Sequence, residues 1–189
     1  KYDPELSKKL LAEAGYADGF KMTIHGPNDR YINDAKIAEA LAQMLNRIGI
    51  EASVETMTKA VYFKRASRGA PNDLPEFSFM LLGWGAGSGE ASSPLKALLH
   101  TFDKSKGLGA NNRGRHSDPR VDALIQKGLA TVDADARGKL LAEATEIGVG
   151  ENLGVIPIHY QVSTWASKKG YSYIPRTDER TIAMGLKKN

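Results

Sequence analysis

Phe77-Ser78-Phe79-Met80-Leu81-Leu82, closed by Gly83-Trp84-Gly85-Ala86-Gly87-Ser88-Gly89-Glu90, decides how this 189-residue chain is read. The first six residues form its most apolar run. At that length, with two aromatics and a glycine stop, the run predicts a buried central strand rather than a helix. Working back from it, Ile50-Glu51-Ala52-Ser53-Val54 and Phe20-Lys21-Met22-Thr23-Ile24 alternate apolar and polar residues, the pattern of half-buried strands. Helical signals separate these strands. Asp3, Pro4 and Glu5 make a helix start, Leu6, Leu10 and Ala14 share one face, and Gly15 stops the helix. Ile37, Leu41, Met44, Leu45 and Ile48 keep helical spacing up to Gly49, and Thr58 can cap a shorter helix running to Arg68. Asn72, Asp73 and two prolines then form a loop. The order αβαβαβ with short connections predicts an α/β fold, a mainly parallel sheet flanked by helices.

The second half reads as more helical. Ser93-Pro94 starts a short helix with Leu95, Leu98 and Leu99, and a glycine-rich basic loop spans residues 101–116. Ser117-Asp118-Pro119 opens a helix with Val121, Leu124, Ile125 and Leu129 on one stripe, and Asp133 or Asp135 opens another. Val155-Ile156-Pro157-Ile158-His159-Tyr160 predicts a strand, with Pro157 favouring an edge or a strand start. From Lys168 onward the chain is polar and expected to be extended.

Composition narrows the function classes. With 41% hydrophobic residues and 25% charged, the chain can bury a core and is not disordered. Zero cysteines exclude a disulfide scaffold, a zinc ribbon and a cysteine nucleophile. The 26 basic and 22 acidic residues are interspersed, so the net charge of +4 reads as ordinary surface. A nucleic-acid module would have to use Arg113, Arg115 and Arg120, and no nucleic-acid partner is expected. The chain opens at Lys1 rather than Met, which fits a processed form or a piece of something longer.

Two stretches carry candidate chemistry. The loop 83–90 follows the predicted central strand directly, and ligands of open α/β sheets sit beyond the carboxyl ends of strands. Trp84 there offers a flat apolar wall, and the glycines let backbone approach a ligand. Sharper motifs fail. Neither glycine register completes a dinucleotide fingerprint, and a nucleophile elbow at Ser88 needs glycine where Ala86 stands. A small α/β hydrolase using Ser88 remains the enzymatic alternative, but no base and orienting partner accompany it. The second stretch, Asn28-Asp29-Arg30-Tyr31, also follows a predicted strand. It reads either as a turn that caps the next helix or as a ligand loop. The histidines His25, His100, His116 and His159 show no metal-ligand spacing, and neither a metal nor a cofactor is expected.

These residues together resemble a known family. Tyr2-Asp3-Pro4-Glu5 with Leu10-Leu11-Ala12-Glu13-Ala14-Gly15-Tyr16, Ala42-Gln43-Met44-Leu45 with Ile48-Gly49-Ile50, and Leu82-Gly83-Trp84 follow one another in its order. So do Asn112-Arg113, Ser117-Asp118-Pro119-Arg120-Val121-Asp122 and Val155-Ile156-Pro157-Ile158-His159-Tyr160. The chain resembles the C-terminal part of the family 5 periplasmic solute-binding proteins of peptide, opine and nickel importers. The resemblance implies a non-enzymatic binding lobe of the two-lobe type II periplasmic fold, with a small solute as ligand. It implies two further partners, an ABC permease in the inner membrane and an N-terminal lobe of the same protein, and places the protein in the periplasm. Residues 1–167 would form the lobe, and residues 168–189 would return toward the other one. The family's tryptophan loop faces the ligand, which marks Trp84, Gly85, Ala86 and Gly87. Peptide-binding members hold the peptide amine with an aspartate three residues past that tryptophan. Gly87 stands there in this chain, and Glu90 is the nearest acid. Asn28, Arg30 and Tyr31 complete the expected ligand-binding set.

Overall fold

The structure, a computed structural model, describes residues 2–67, 69–70, 74–87, 89–176 and 178–189. Ser88, Arg68, Asn72 and Asp73, which carry some of the expectations above, lie outside the described residues. By its contacts the chain divides into two compact units, residues 1–83 and 84–189.

The first unit opens with helix α1 (Pro4–Glu13). Asp3 Oδ1 accepts the Leu6 amide at 2.9 Å, and Pro4 sits where no amide is needed. The apolar face expected to be covered is bare: Leu6 and Leu10 are exposed and no α1 residue is buried. Strands β1 (Lys21–Pro27) and β2 (Glu51–Met57) run parallel, with Ile24 opposite Val54, and helix α2 (Asp34–Asn46) makes the crossover. Ile24, Ala38 and Ala42 are buried between sheet and helix, with Met22, Leu41, Leu45 and Phe79 around them. Helix α3 (Lys59–Ser67) buries Tyr62 and Ala66 against Phe77. Two short strands, β3 (Gly69–Ala70) and β4 (Leu74–Pro75), pair antiparallel.

The run that suggested a central strand is corrected here. Residues 77–82 form no regular strand and meet β1 at one parallel bridge, His25 opposite Met80. The His25 amide donates to the Phe79 carbonyl at 3.0 Å, and the Leu81 amide to the His25 carbonyl at 2.8 Å. The run is apolar because it feeds two separate cores. Phe77 joins Tyr62 and Ala66, Phe79 packs on the Ile24 cluster, and the backbone bends at residues 78–79 between them. Side chains fix that bend. Arg65 lies 4.8 Å over the Phe77 ring and donates to Glu76 Oε2 at 2.7 Å, while His25 stacks on Phe77 at 4.1 Å.

The second unit is helical at its centre. Helices α4 (Ser92–Leu98), α5 (Pro119–Ala130) and α6 (Ala134–Thr145), followed by a π-helical turn (Glu146–Glu151), bury Leu95, Leu99, Val121, Ile125, Leu141 and Ala144. Each buried leucine, isoleucine or valine among them contributes roughly 1.5–3 kcal/mol before chain entropy is subtracted. Asp118 and Asp133 cap α5 and α6 through the Arg120 and Ala136 amides, both at 2.8 Å. The loop between α4 and α5 is organised by Asn112, which is 2% exposed. Its Nδ2 donates to the His100 and His116 carbonyls at 3.0 and 2.7 Å, and its Oδ1 accepts the His116 amide at 3.0 Å.

Residues 155–160 are a second correction, because they form no strand. Pro157 has no amide to give a ladder, and no described segment pairs with this stretch, so Ile156, Ile158 and Tyr160 stay exposed. The tail carries more order than its polarity suggests. Strands β5 (Tyr171–Tyr173) and β6 (Leu186–Lys188) pair antiparallel, and Trp165 Nε1 donates to Thr181 Oγ1 at 3.0 Å.

Asp118 gives this unit a defined acid response. The Arg120 side chain at 2.8 Å, then Asn152 Nδ2 at 2.8 Å, hold its carboxyl far below the usual carboxylate range. A carboxyl lowered by folding stabilises the native state above its unfolded value, about 3.9, and that stabilisation fades as pH falls toward the folded value. The urea midpoint is therefore expected to decline below about pH 4, and Asp118→Asn to flatten part of that decline. Identical acid slopes in the two proteins would remove Asp118 as its source.

Candidate ligand-binding loops

The first candidate loop leaves the carboxyl end of β1 beside the carboxyl end of β2, where the Asn28 amide donates to the Met57 carbonyl at 3.0 Å. Asp29 Oδ1 then accepts the Lys59 amide at 2.6 Å, so Asp29 caps α3 from a distant part of the chain. Asn33 takes a left-handed conformation with φ 59°, which turns the chain back into α2. Asp34 holds this turn. It is buried, its Oδ2 accepts the Arg30 and Tyr31 amides at 2.9 and 3.0 Å, and its Oδ1 accepts the Ala35 amide. The stretch does make a turn, held by Asp34, but its cap goes elsewhere: Asp29 caps α3 rather than the next helix, α2, whose N-cap Asn33 makes no side-chain cap hydrogen bond. Among the described residues the side chains of Asn28 and Arg30 take no part in this turn, and that of Tyr31 turns to Gly83.

Tyr31 is fixed at both ends. Its amide is held by Asp34, and its hydroxyl donates to the Gly83 carbonyl at 3.3 Å. The ring lies so close to Gly83 that a Cβ there would come within 2.6 Å of Tyr31 Cε1. The Arg30 guanidinium sits 5.0 Å over the same ring. Asn28 and Arg30 are exposed and Tyr31 is half-buried. The segment leading into Gly83 is held from helix α3. Tyr62 Oη donates to the Leu81 carbonyl at 2.7 Å, two residues before Gly83.

The second candidate loop follows Gly83 in the chain. Trp84 is 41% exposed, and Gly85, Ala86 and Gly87 are exposed. The Glu90 carboxylate is engaged at the start of α4, accepting the Ser92 amide at 3.2 Å and the Ser92 hydroxyl. Glu90 and Arg137 border a hollow of about 390 Å³ on α6. Among the described residues no group of three histidine, aspartate or glutamate side chains is placed to hold a metal ion. Arg120 is paired with Asp118 and Glu151, and Arg115 lies 4.3 Å over the Phe102 ring.

Sequence reasoning missed Asp34 and Tyr62 as parts of this arrangement, and it placed Gly83 in the second loop without its contact to Tyr31. Asp34 had a signal, an aspartate at a helix start three and four residues after Tyr31 and Arg30. Tyr62 had none, and neither did the pairing of Gly83 with Tyr31, since each meets a partner distant in sequence.

The family model described as "Bacterial extracellular solute-binding proteins, family 5 Middle" matches residues 1–106. The chain belongs to that family. Both candidate loops fall inside the matched residues. Among relatives, this family 5 chain is 30% identical over 167 residues to heme-binding protein A of Haemophilus influenzae, covering 85% of this chain and 28% of that protein. It is 32% identical over 160 residues to di/tripeptide-binding protein 1 of Pseudomonas aeruginosa, covering 83% and 28%. The chain thus spans little more than a quarter of the length of the curated relatives it matches. The crystal structure of a dipeptide-binding protein from Pseudoalteromonas sp. SM9913 in complex with Met-Leu superposes with a TM-score of 0.79 at 26% identity, covering 100% of this chain and 36% of that one. The α/β fold of this family 5 chain is therefore part of the type II periplasmic-binding-protein fold.

Proposed function

We propose that this chain is part of the substrate-binding component of an ABC importer, which captures a peptide-like or other small solute and performs no chemistry on it. The observation that carries this reading is the family match over residues 1–106, which takes in both loops. The names of the relatives support a small solute, since they include di/tripeptide- and heme-binding proteins. In the whole protein the solute would be enclosed between this lobe and an N-terminal lobe, and the closed form would be read by a permease of the inner membrane. The working compartment is then the periplasm. Residues 1–167 serve as the lobe in this reading, and residues 168–189 extend toward the other lobe.

Binding energy would come from stacking on Trp84, from backbone groups of residues 85–87, and from polar contacts of Asn28, Arg30 and Tyr31. Glu90, engaged by Ser92, would have to exchange that partner to meet a ligand amine. The test is calorimetry of the full-length protein against peptides, opines and metal chelates. At least one class is expected to bind, and Trp84→Ala to weaken that binding on the order of tenfold, since a buried aromatic contact is worth about 1–2 kcal/mol. Absence of heat with every class would overturn the reading.

A further inference from the structure

The start of α5 and the end of the π-helical turn are joined through one histidine ring. His116 Nδ1 lies 2.8 Å from the Leu99 carbonyl, and its Nε2 lies 3.3 Å from Asn152 Nδ2. The same Asn152 nitrogen donates to Asp118 Oδ2 at 2.8 Å. Each partner dictates the next. A carboxylate only accepts, so Asp118 fixes which end of the Asn152 amide points inward. An amide nitrogen only donates, so His116 Nε2 must accept. A carbonyl only accepts, so His116 Nδ1 carries the ring proton. The arrangement therefore requires the neutral ring. A second proton has to enter at Nε2, where it meets the N–H groups of Asn152. The amide must then leave, or turn its oxygen to the ring and take its N–H away from Asp118.

Asp118 is not the group that changes in mild acid. Arg120, then Asn152, hold its carboxyl far below the usual range, so it stays ionised there. The other charged groups on the elements around the ring are Arg120 on α5, Glu146 and Glu151 on the π-helical turn, Arg113 and Arg115 on the loop, and Lys96 on α4. Arg120 is paired with Asp118 and Glu151, and Arg115 lies over the Phe102 ring. His100 turns its own ring to the Thr101 carbonyl, Asp122 and Gln126. The His116 ring presses on the chain where it leaves the turn: a Cβ at Gly154 would come within 2.8 Å of His116 Cδ2. Beyond that point run residues 155–160, with no described segment paired to them.

We propose that His116 is a proton-operated latch, which in its neutral form ties Asn152 and the chain leaving the turn to the start of α5, and on protonation lets that chain go. The latch goes beyond solute capture and does not rest on it. The neutral ring adds its hold above the ordinary histidine range, centred at about pH 6.5, and the hold is lost as pH falls through that range.

The test is hydrogen exchange of the full-length protein at about pH 7.5 and about pH 5, which bracket that range, corrected for the intrinsic pH dependence of exchange. The Asn152 and Gly154 amides are held by the Ile147 and Gly148 carbonyls, each at 2.9 Å. Both are expected to lose protection on the order of tenfold in acid, the equivalent of one hydrogen bond, while the amides of α5 and α6 keep theirs. His116→Gln has no second proton to take and should show equal protection at the two pH values. Asn152→Ala, at an exposed position, leaves the ring intact and should show the acid level at both. Asn152→Asp should reverse the sign, because a carboxylate at position 152 attracts the protonated ring and repels Asp118 when the ring is neutral. Equal protection at the two pH values in the parent, or an acid loss that survives His116→Gln or Asn152→Ala, overturns the latch. So does a loss spread evenly over α5 and α6, which marks general acid loosening. None of these results reads solute binding, so the solute-capture reading stands apart from them.

Discussion

Tyr62→Ala is expected to destabilise the first unit by about 4 kcal/mol, measured by urea unfolding of the full-length protein. Tyr62 is 1% exposed and packs its ring on Phe63 at 5.1 Å and on Phe77 at 5.7 Å. Removing a buried aromatic ring costs roughly 3–5 kcal/mol, because the cavity collapses only partly. The hydroxyl adds a second loss: the Leu81 carbonyl it serves is left without that donor, at about 1–3 kcal/mol if no water replaces it. Tyr62→Phe separates the two parts and should cost about 1–2 kcal/mol. The two variants also differ in consequence for the loop. Phenylalanine keeps the ring stack and frees only the Leu81 carbonyl, two residues before Gly83, whereas alanine removes the stack as well. A loss below about 1.5 kcal/mol for Tyr62→Ala would show that the ring is not a structural post.

Asn112→Ala is expected to cost about 3 kcal/mol in the second unit. One amide side chain serves three backbone groups, the His100 and His116 carbonyls and the His116 amide. Alanine leaves all three unserved inside a loop that packs on α5. Each buried orphan costs about 1–3 kcal/mol, and relaxation toward water recovers part of the sum. Asn112→Asp is the sharper control. It keeps the shape and the acceptor, but it places a carboxylate against two carbonyl oxygens, so it should be at least as damaging at neutral pH and partly recover in acid. Equal stability of Asn112→Asp and the parent at pH 7 would refute the hydrogen-bond account.

The helix starts were the most legible part of the sequence. Asp3-Pro4 and Asp118-Pro119 fix an acceptor and a φ angle within two residues, and Asp133 does nearly the same, so local chemistry decides the outcome. The parallel β1–β2 pair was legible because its alternation is long and α2 supplies an unbroken crossover. The two failed strands share one cause. Strand formation requires a partner elsewhere in the chain, and neither 77–82 nor 155–160 carries information about that partner. The apolar character of 77–82 records burial, which the bend at 78–79 delivers without a ladder. The bare face of α1 shows the same limit from the other side, since periodicity marks a face but not what covers it.

The candidate loops were legible as residue types in suggestive places. Arg30, Tyr31 and Trp84 stand out in the sequence. Their geometry does not, because it depends on Asp34 gathering three amides and on Tyr31 meeting a glycine 52 positions away. Such long-range contacts leave no periodic trace.

The Tyr31–Gly83 contact also constrains how this sequence can drift. Any side chain at position 83 would occupy space the Tyr31 ring already fills. A larger residue there becomes acceptable only after position 31 has shrunk, and a small residue at 31 removes the surface beneath Arg30. Positions 31 and 83 are therefore inherited as a pair: a lineage that enlarges one must first shrink or displace the other.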